Sequence, residues 1–314
     1  MNPIAIQTNA LSRSFEALKA VDRLSIEVPT GSIFGFLGPN GSGKTTTIRL
    51  LLGLLAPTEG SGRVLGHDIR SEADAIRLKS GALLEHNGLY QRLSAENNLD
   101  FYGEVWHMPT VERKRRIQEL LTHLDLWERR TEIVGRWSRG MQQKLAIART
   151  LLHHPALVFM DEPTAGLDPL AAAALHKDLA SLAEKEGVTI FMTTHNLAEA
   201  EKLCQQVAVI RKGRLLATGP LEALRAQAGG PRLEVLGRDF TPQALEALQA
   251  RPEVLDVAQQ NNRLLINLRQ ASDTSSLVGL LIEQGVQVDE VRKGKANLEE
   301  VFITLMEEDA EAES

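Results

Sequence analysis

The 314-residue sequence holds a single cysteine, Cys204, so no disulfide can form within one chain, which suits a reducing compartment. It has no excess of positive charge: 35 Lys and Arg stand against 41 Asp and Glu, a net charge of −6. Proteins that bind nucleic acid ordinarily carry a basic excess, so no nucleic-acid partner is expected. Residues 1–10 lack a charged segment followed by an apolar stretch, and no signal peptide is expected. Long apolar runs are missing too. The best candidates, 33–37, 50–57 and 151–160, fall far short of the roughly 18 consecutive residues that span a bilayer. The chain is therefore expected to be soluble, and any role at a membrane must come through a partner.

Hydrophobic residues make up 43% of the chain, enough for a sizeable core, and the length favours two domains. Apolar runs at 33–37, 157–160, 188–192 and 207–210 read as buried strands separated by helical periods, which points to an α/β layer with parallel strands. Ile48, Leu51, Leu52 and Leu55 predict a helix over 45–55, ended by Pro57 and Gly60. Between about 94 and 154 strands give way to helical periodicity. Ile117, Leu120, Leu121 and Leu124 share one face, and Leu145, Ile147, Ala148, Leu151 and Leu152 suggest a second helix. This helical insert is placed at about residues 86–155. Its basic run, Arg113-Lys114-Arg115-Arg116, alternates with Glu112 and Glu119 and reads as a solvated helix face.

A break is expected near Ala228-Gly229-Gly230-Pro231. Beyond it the order strand, helix, strand, strand, helix, strand fits a small ferredoxin-like domain over 229–308, closed by a helix over 297–306. The acidic end, residues 309–314, is expected to be disordered.

Gly38-Pro39-Asn40-Gly41-Ser42-Gly43-Lys44-Thr45 fits G-x-x-x-x-G-K-[ST] in full, between a predicted strand and a predicted helix. Glycines let backbone N–H groups turn inward around phosphate oxygens, and the helix starting near Lys44 points its positive end at them. Lys44 supplies a charge to the β- and γ-phosphates and Thr45 a hydroxyl to Mg²⁺. The strand 157–160 runs into Asp161 and Glu162. With a phosphate loop upstream, Asp161 becomes a candidate holder of Mg²⁺ through water, and Glu162 a base that polarises an attacking water. In isolation the same pair would be an ordinary strand-end cap or ion pair. Ser138, ahead of the helical run 141–153, reads first as a helix cap. His195 follows Thr193-Thr194 at the end of the strand 188–192. A lone histidine is usually structural, but ligands of open α/β sheets sit beyond the carboxyl ends of the strands.

In order and spacing these elements resemble the nucleotide-binding subunit of an ATP-binding cassette (ABC) transporter, over residues 4 to about 225. The resemblance implies an α/β P-loop NTPase cassette over 1–228 with a helical subdomain, followed by the small α+β domain. It implies that Gly38, Pro39, Asn40, Gly41, Ser42, Gly43, Lys44, Thr45 and Thr46 form the Walker A loop around ATP, and that residues 157–162 form the Walker B strand. Glu162 is then the catalytic base and His195 the switch histidine, with Thr45 and Asp161 at Mg²⁺. Ser138 and Gly140 match the Ser and second Gly of the family signature L-S-G-G-Q, which meets the γ-phosphate from the opposite subunit. Asp168 closes the D-loop, residues 165–168, and Phe15 stands where the family stacks an aromatic ring on adenine.

The sequence departs from the family pattern at three positions. Arg139 replaces the first signature Gly and Met141 its Gln, while the Ser and Gly that face the nucleotide are kept. Glu85 stands where the family carries a glutamine. It can still reach Mg²⁺ or water, and is carried as a catalytic and metal candidate that adds negative charge near the phosphates. The stretch from Glu85 through Asn98-Leu99 and the ending Asn297-Leu298-Glu299-Glu300-Val301-Phe302 are similar to an exporter-type subset.

The resemblance therefore implies a C₂ homodimer sandwiching two ATP molecules, seated on the cytoplasmic face of a membrane through a polytopic permease. The C-terminal domain could regulate, brace the dimer or contact the permease; bracing is the working reading. The rivals are a soluble cassette ATPase of translation or repair and a regulatory ATP binder that does not hydrolyse. His67, His86, His107, His123 and His176 lack metal-ligand spacing, His153-His154 reads as a helix end, and Cys204 as packing.

Overall fold

A run such as Ile33-Phe34-Gly35-Phe36-Leu37 is apolar on both faces of a strand and needs cover on both sides, as in the centre of a parallel sheet. The computed structural model describes residues 3–227, 231–269, 273–295 and 297–312, in two units, Met1–Thr218 and Gly219–Ser314. The first unit opens with β1 (Ile4–Phe15), β2 (Leu18–Leu24) and β3 (Glu27–Pro29). It continues through β4 (Ile33–Leu37), α1 (Lys44–Leu51), β5 (Glu59–Val64), β6 (His67–Asp68), α2 (Ala73–Lys79) and β7 (Ser80–Leu83). A helical stretch follows: α3 (Ala95–Val105), α4 (Thr110–His123) and α5 (Arg139–Leu151). Then come β8 (Leu157–Asp161), α6 (Pro169–Glu186), β9 (Thr189–Thr194), α7 (Leu197–Leu203), β10 (Gln206–Arg211) and β11 (Arg214–Pro220).

One sheet has the order β11-β10-β4-β9-β8-β7, with β10, β4, β9, β8 and β7 parallel. Every residue of β4, β8 and β9 is buried. The ring of Phe191 lies 5.6 Å from Phe34, 5.3 Å from Phe36 and 5.7 Å from Phe159, so aromatic packing ties three neighbouring strands. A Cβ at Gly35 would come within 2.8 Å of Cys204 Sγ. Burial pushes that thiol up to about 12, so Cys204 is packing rather than a nucleophile. Leu37 pairs with Thr194 and Asp161 with Thr193, so the chain leaves β4, β8 and β9 at one edge of the sheet.

A second sheet, β2-β1-β5-β6 with β3 on β1, brings Ile6, Leu11, Val21, Leu24, Val28 and Val64 into the same core as Phe34 and Phe159. It has no counterpart among the strands read from the sequence. β1 bulges opposite β2, so no clean period of two runs along it. The helix expected over 45–55 stops at Leu51, because Gly53 takes a left-handed φ of 64° and a Cβ there would meet that of Ala73 at 2.4 Å. The basic run on α4 is a solvated face only in part. Lys114 and Arg115 are exposed, but Arg113 and Arg116 share the buried side with Ile117 and Leu120. Arg113 pairs with Asp100 at 2.6 Å and Glu104 at 3.1 Å, and Arg116 binds both carboxylate oxygens of Glu186 at 2.8 and 2.9 Å. Such paired, hydrogen-bonded charges can be buried where lone ones cannot.

The second unit comprises α8 (Leu221–Gln227), β12 (Pro231–Arg238), α9 (Pro242–Gln249), β13 (Val254–Gln260), β14 (Arg263–Leu268), α10 (Ser275–Glu283), β15 (Gln287–Lys295) and α11 (Leu298–Ala312). Its sheet runs β13-β14-β12-β15 with antiparallel neighbours, the ferredoxin-like arrangement, over a core that includes Leu233, Val235, Leu264, Ile266 and Leu281. Two boundaries differ from the sequence reading. The division falls at Thr218/Gly219 rather than at 228/229, since α8 packs with α11. Residues 228–230, where the break was expected, lie outside the described residues. The end expected to be disordered from 309 is helical to Ala312, because a Glu- and Ala-rich segment extends a helix already nucleated at Leu298; residues 313–314 lie outside the described residues.

Just beyond α5, the His153 ring stacks on Trp106, with centroids 3.9 Å apart and planes 7° off parallel, and its Nε2 donates to the Ser80 carbonyl at 3.2 Å. Burial pushes His153 down from 6.5 to about 4. Between those values the unfolded chain takes up a proton that the folded chain refuses, so stability falls as pH falls through that window. His153→Phe keeps the stack and removes the titration. Thermal denaturation from pH 7 to pH 4 should show a shallower acid loss than wild type; an equal slope would mean that His153 is not among the groups responsible.

Candidate active site

The loop between β4 and α1 is forced into shape by its glycines. Gly41 and Gly43 have φ of 77° and 106°, and a Cβ on Gly43 would lie 2.2 Å from the Ala20 carbonyl on β2. Gly38 is confined differently: a Cβ there would meet the Ile210 carbonyl at 2.5 Å. α1 begins at Lys44 with no side-chain cap, so its first N–H groups and the positive end of its dipole face the loop. The largely buried Lys44 ammonium curls back to donate to the carbonyls of Gly38 at 2.8 Å and Pro39 at 3.1 Å. Buried Ser42 Oγ has no hydrogen-bond partner among the described residues.

The acids lie at the strand ends. Asp161 accepts from Thr45 Oγ1 at 2.6 Å and from Thr193 Oγ1 at 2.5 Å. Glu162 follows with a left-handed φ of 51°, which costs a non-glycine residue energy and is held by its N–H, donated to both the carbonyl and the hydroxyl of Thr193. That turn aims the Glu162 carboxylate into the cleft, where Oε1 is 3.3 Å from Lys44 Nζ and Oε2 is 2.5 Å from His195 Nδ1. These groups line an open cleft of about 800 Å³ together with Phe15 and Glu85. Phe15 is 41% exposed, with the Arg13 guanidinium 4.6 Å from its ring centre. Glu85 lies 3.5 Å from Arg49 of α1, a cation that offsets the extra charge.

The oxygen donors fit a hard cation. Thr45 and Asp161 converge, and among the described residues no cluster of three or more His, Cys, Asp or Glu could hold a metal unaided. Such a pair would suit a hard cation that completes its shell with water and a ligand's oxygens.

Ser138, Gly140 and Asp168 do not line this cleft. Ser138 caps α5 by accepting from the Met141 N–H. Asp168 caps α6 through the N–H groups of Leu170 and Ala171, leaving Ala165 and Leu167 to face the cleft. Sequence reasoning missed Thr193, which holds both acids. Its only signal was its place in the Thr-Thr-His run. It took Arg139 only as a departure from the signature, whereas Arg139 lines the cleft and packs so closely on Gly166 that a Cβ there would meet Nη1 at 2.4 Å. Gly43→Ala should weaken ATP binding at least about fivefold, since a conformation of this kind costs a non-glycine residue ~1–3 kcal/mol. Calorimetric titration with ATP would check this, and unchanged affinity would contradict the loop geometry.

Comparison with known proteins gives the same picture over both units. Residues 21–165 match the ABC transporter family, and residues 219–306 match the C-terminal domain described as ATP-binding protein DrrA1-3-like. The chain is 34% identical to the daunorubicin resistance ATP-binding protein DrrA3 of Streptomyces coeruleorubidus, over 98% of each chain. It is also 34% identical to the Nod factor export ATP-binding protein I of Ralstonia nicotianae, over 96% of this chain and 93% of that one. A solved structure of an ATP-binding subunit of an ABC transporter superposes with a TM-score of 0.64 at 31% identity, covering 71% of this chain and 92% of that chain. A likeness that spans cassette and C-terminal domain alike makes this chain a member of the ABC transporter ATP-binding subunits, nucleotide-binding ATPases of that family.

Proposed function

We propose that this subunit hydrolyses ATP at Glu162 to drive outward transport through a separate polytopic permease, working as a pair of identical chains on the cytoplasmic face of a membrane. The observation that carries the catalytic reading is the placement of the Glu162 carboxylate between Lys44 and His195, at the mouth of a loop built for phosphates. The names of the relatives, a drug-resistance subunit and an export subunit, support the outward direction.

The chain's own residues carry the following roles. The loop N–H groups and Lys44 bind the phosphates and keep the transferred group in line. Thr45 and Asp161 would hold Mg²⁺, which neutralises charge on the phosphates when bound. Glu162 accepts a proton from the attacking water, and His195, hydrogen-bonded to the other carboxylate oxygen, fixes its direction. Glu85 reaches the same cleft from the end of β7 and can orient water. Ser138 and Gly140, at the start of α5, do not themselves line the cleft of their own chain, although Arg139 between them does, and this supports their use by a second copy. A γ-phosphate touched by both copies would hold them together until hydrolysis removes the contact, a shift of populations by the ligand.

No described helix is long and apolar enough to cross a membrane. A groove of about 210 Å³ lined by Leu54, Arg77, Leu84, Trp106 and Arg149 offers a surface for the permease. The exposed Leu78 lies on α2, which supplies Arg77, and the exposed Phe101 and Val105 lie on α3, which leads into Trp106. The C-terminal unit, with its own core and its final helix anchored by Leu298 and Val301, is read as a brace between copies.

Glu162→Gln should reduce ATP turnover by at least about a hundredfold, within the 10²–10⁴ typical of general-base catalysis, while ATP binding is kept. Near-normal phosphate release would remove Glu162 as the base. Deleting the chain from Gly219 onward should weaken ATP-driven pairing in a concentration series, and unchanged pairing would remove the bracing role.

A further inference from the structure

We infer that Glu199, which does not line the nucleotide cleft, is a positioning residue that sets Glu162 against His195. The inference rests on the catalytic reading of those two residues given above.

Glu199 lies on α7 with its side chain wholly buried. A carboxylate taken out of water needs donors, and three are supplied from three segments. Oε1 accepts from Thr164 Oγ1 at 2.8 Å and lies 2.8 Å from His176 Nε2 on α6. Oε2 accepts from Thr194 Oγ1 at 2.7 Å. The backbone N–H of Glu199 donates to the side chain of Asn196, which caps the start of α7.

The placement of these partners gives the cluster its meaning. Thr194 immediately precedes His195, and Thr164 follows Glu162 in the turn that the left-handed φ of Glu162 begins. One carboxylate therefore grips the chain beside each half of the 2.5 Å Glu162–His195 contact. Thr193 fixes the backbone of Glu162 from one side, and Gln143 donates to the Pro163 carbonyl at 2.6 Å from the other. Thr193 thus ties the turn to the end of β9, but neither contact ties it at Thr164 to α7, beyond His195. Glu199 supplies that tie, with His176 holding the carboxylate from α6. A misplacement of about 1 Å at a reacting group can cost on the order of a hundredfold in rate, so a buried tie of this kind acts on turnover rather than on ATP affinity.

Thr164→Val removes one donor at nearly constant shape, and Thr164→Ser retains it. In the full chain, Thr164→Val should lower kcat about tenfold with the KM for ATP within about twofold, and Thr164→Ser should recover most of the loss. Glu199→Gln should show the same split between kcat and KM. Adding Thr164→Val to it should cost little more, since both act through one contact. Wild-type kcat in Thr164→Val, a serine variant as impaired as the valine, a loss expressed in KM, or additive losses in the double variant would each overturn the inference. Glu162→Gln measured alongside separates the two levels. If it turns over normally, the catalytic reading and this inference fall together. If it is inert while Thr164→Val is unimpaired, only the positioning role falls.

Discussion

Asp161 is the point on which the centre is built. Its two oxygens accept from Thr45 at 2.6 Å and Thr193 at 2.5 Å, so one nearly buried carboxylate joins the first turn of α1, the end of β8 and the end of β9. Those segments are distant in sequence and meet only because the parallel register brings β4, β8 and β9 to a common edge. The register in turn depends on continuous apolar strands that can be covered on both faces. With Asp161 placed, Thr193 is placed too, and Thr193 holds the N–H of Glu162 in its left-handed turn. Strain at Glu162 is thus offset by hydrogen bonds from a strand that the core already fixes.

The same economy runs through the rest of the cleft. Lys44 is held by loop carbonyls and Glu162 by Lys44 and His195, so the charged groups are oriented by one another and by backbone. Preorganisation of this kind lets few groups do the chemistry. The helical stretch between β7 and β8 serves a different end. Arg113 ties α4 to α3 and Arg116 ties α4 to Glu186 of α6, so its buried arginines make it rigid.

Much of this was legible in the sequence, for identifiable reasons. The phosphate loop is short and local, and every position in it answers to one chemical demand, so Gly38 to Thr45 announce themselves. Asp161, Glu162 and His195 were legible as ends of apolar strands, because a buried strand has a clear pattern and its end has a known use. The ferredoxin-like order was readable because its strands alternate with short helices. What stayed hidden was long-range. β1 bulges, and its pairing with β5 follows from contacts that no local period encodes. Asp168 caps a helix, a use that motif matching does not distinguish from ligand contact. Arg116 found Glu186, and Glu199 found Thr164, only through the fold. At the acidic end, charge suggested disorder from 309, but the Glu and Ala content carries the helix to Ala312.

Ser138 and Gly140 do not line the cleft that holds Lys44, and we propose that each nucleotide is completed by a second copy of the chain. Sedimentation of the Glu162→Gln variant with Mg²⁺ and ATP tests it most directly. The predicted result is a species of twice the 34.5 kDa chain with ATP, reverting to a single chain with ADP. A single chain under both conditions, at concentrations where ATP is bound, would contradict it.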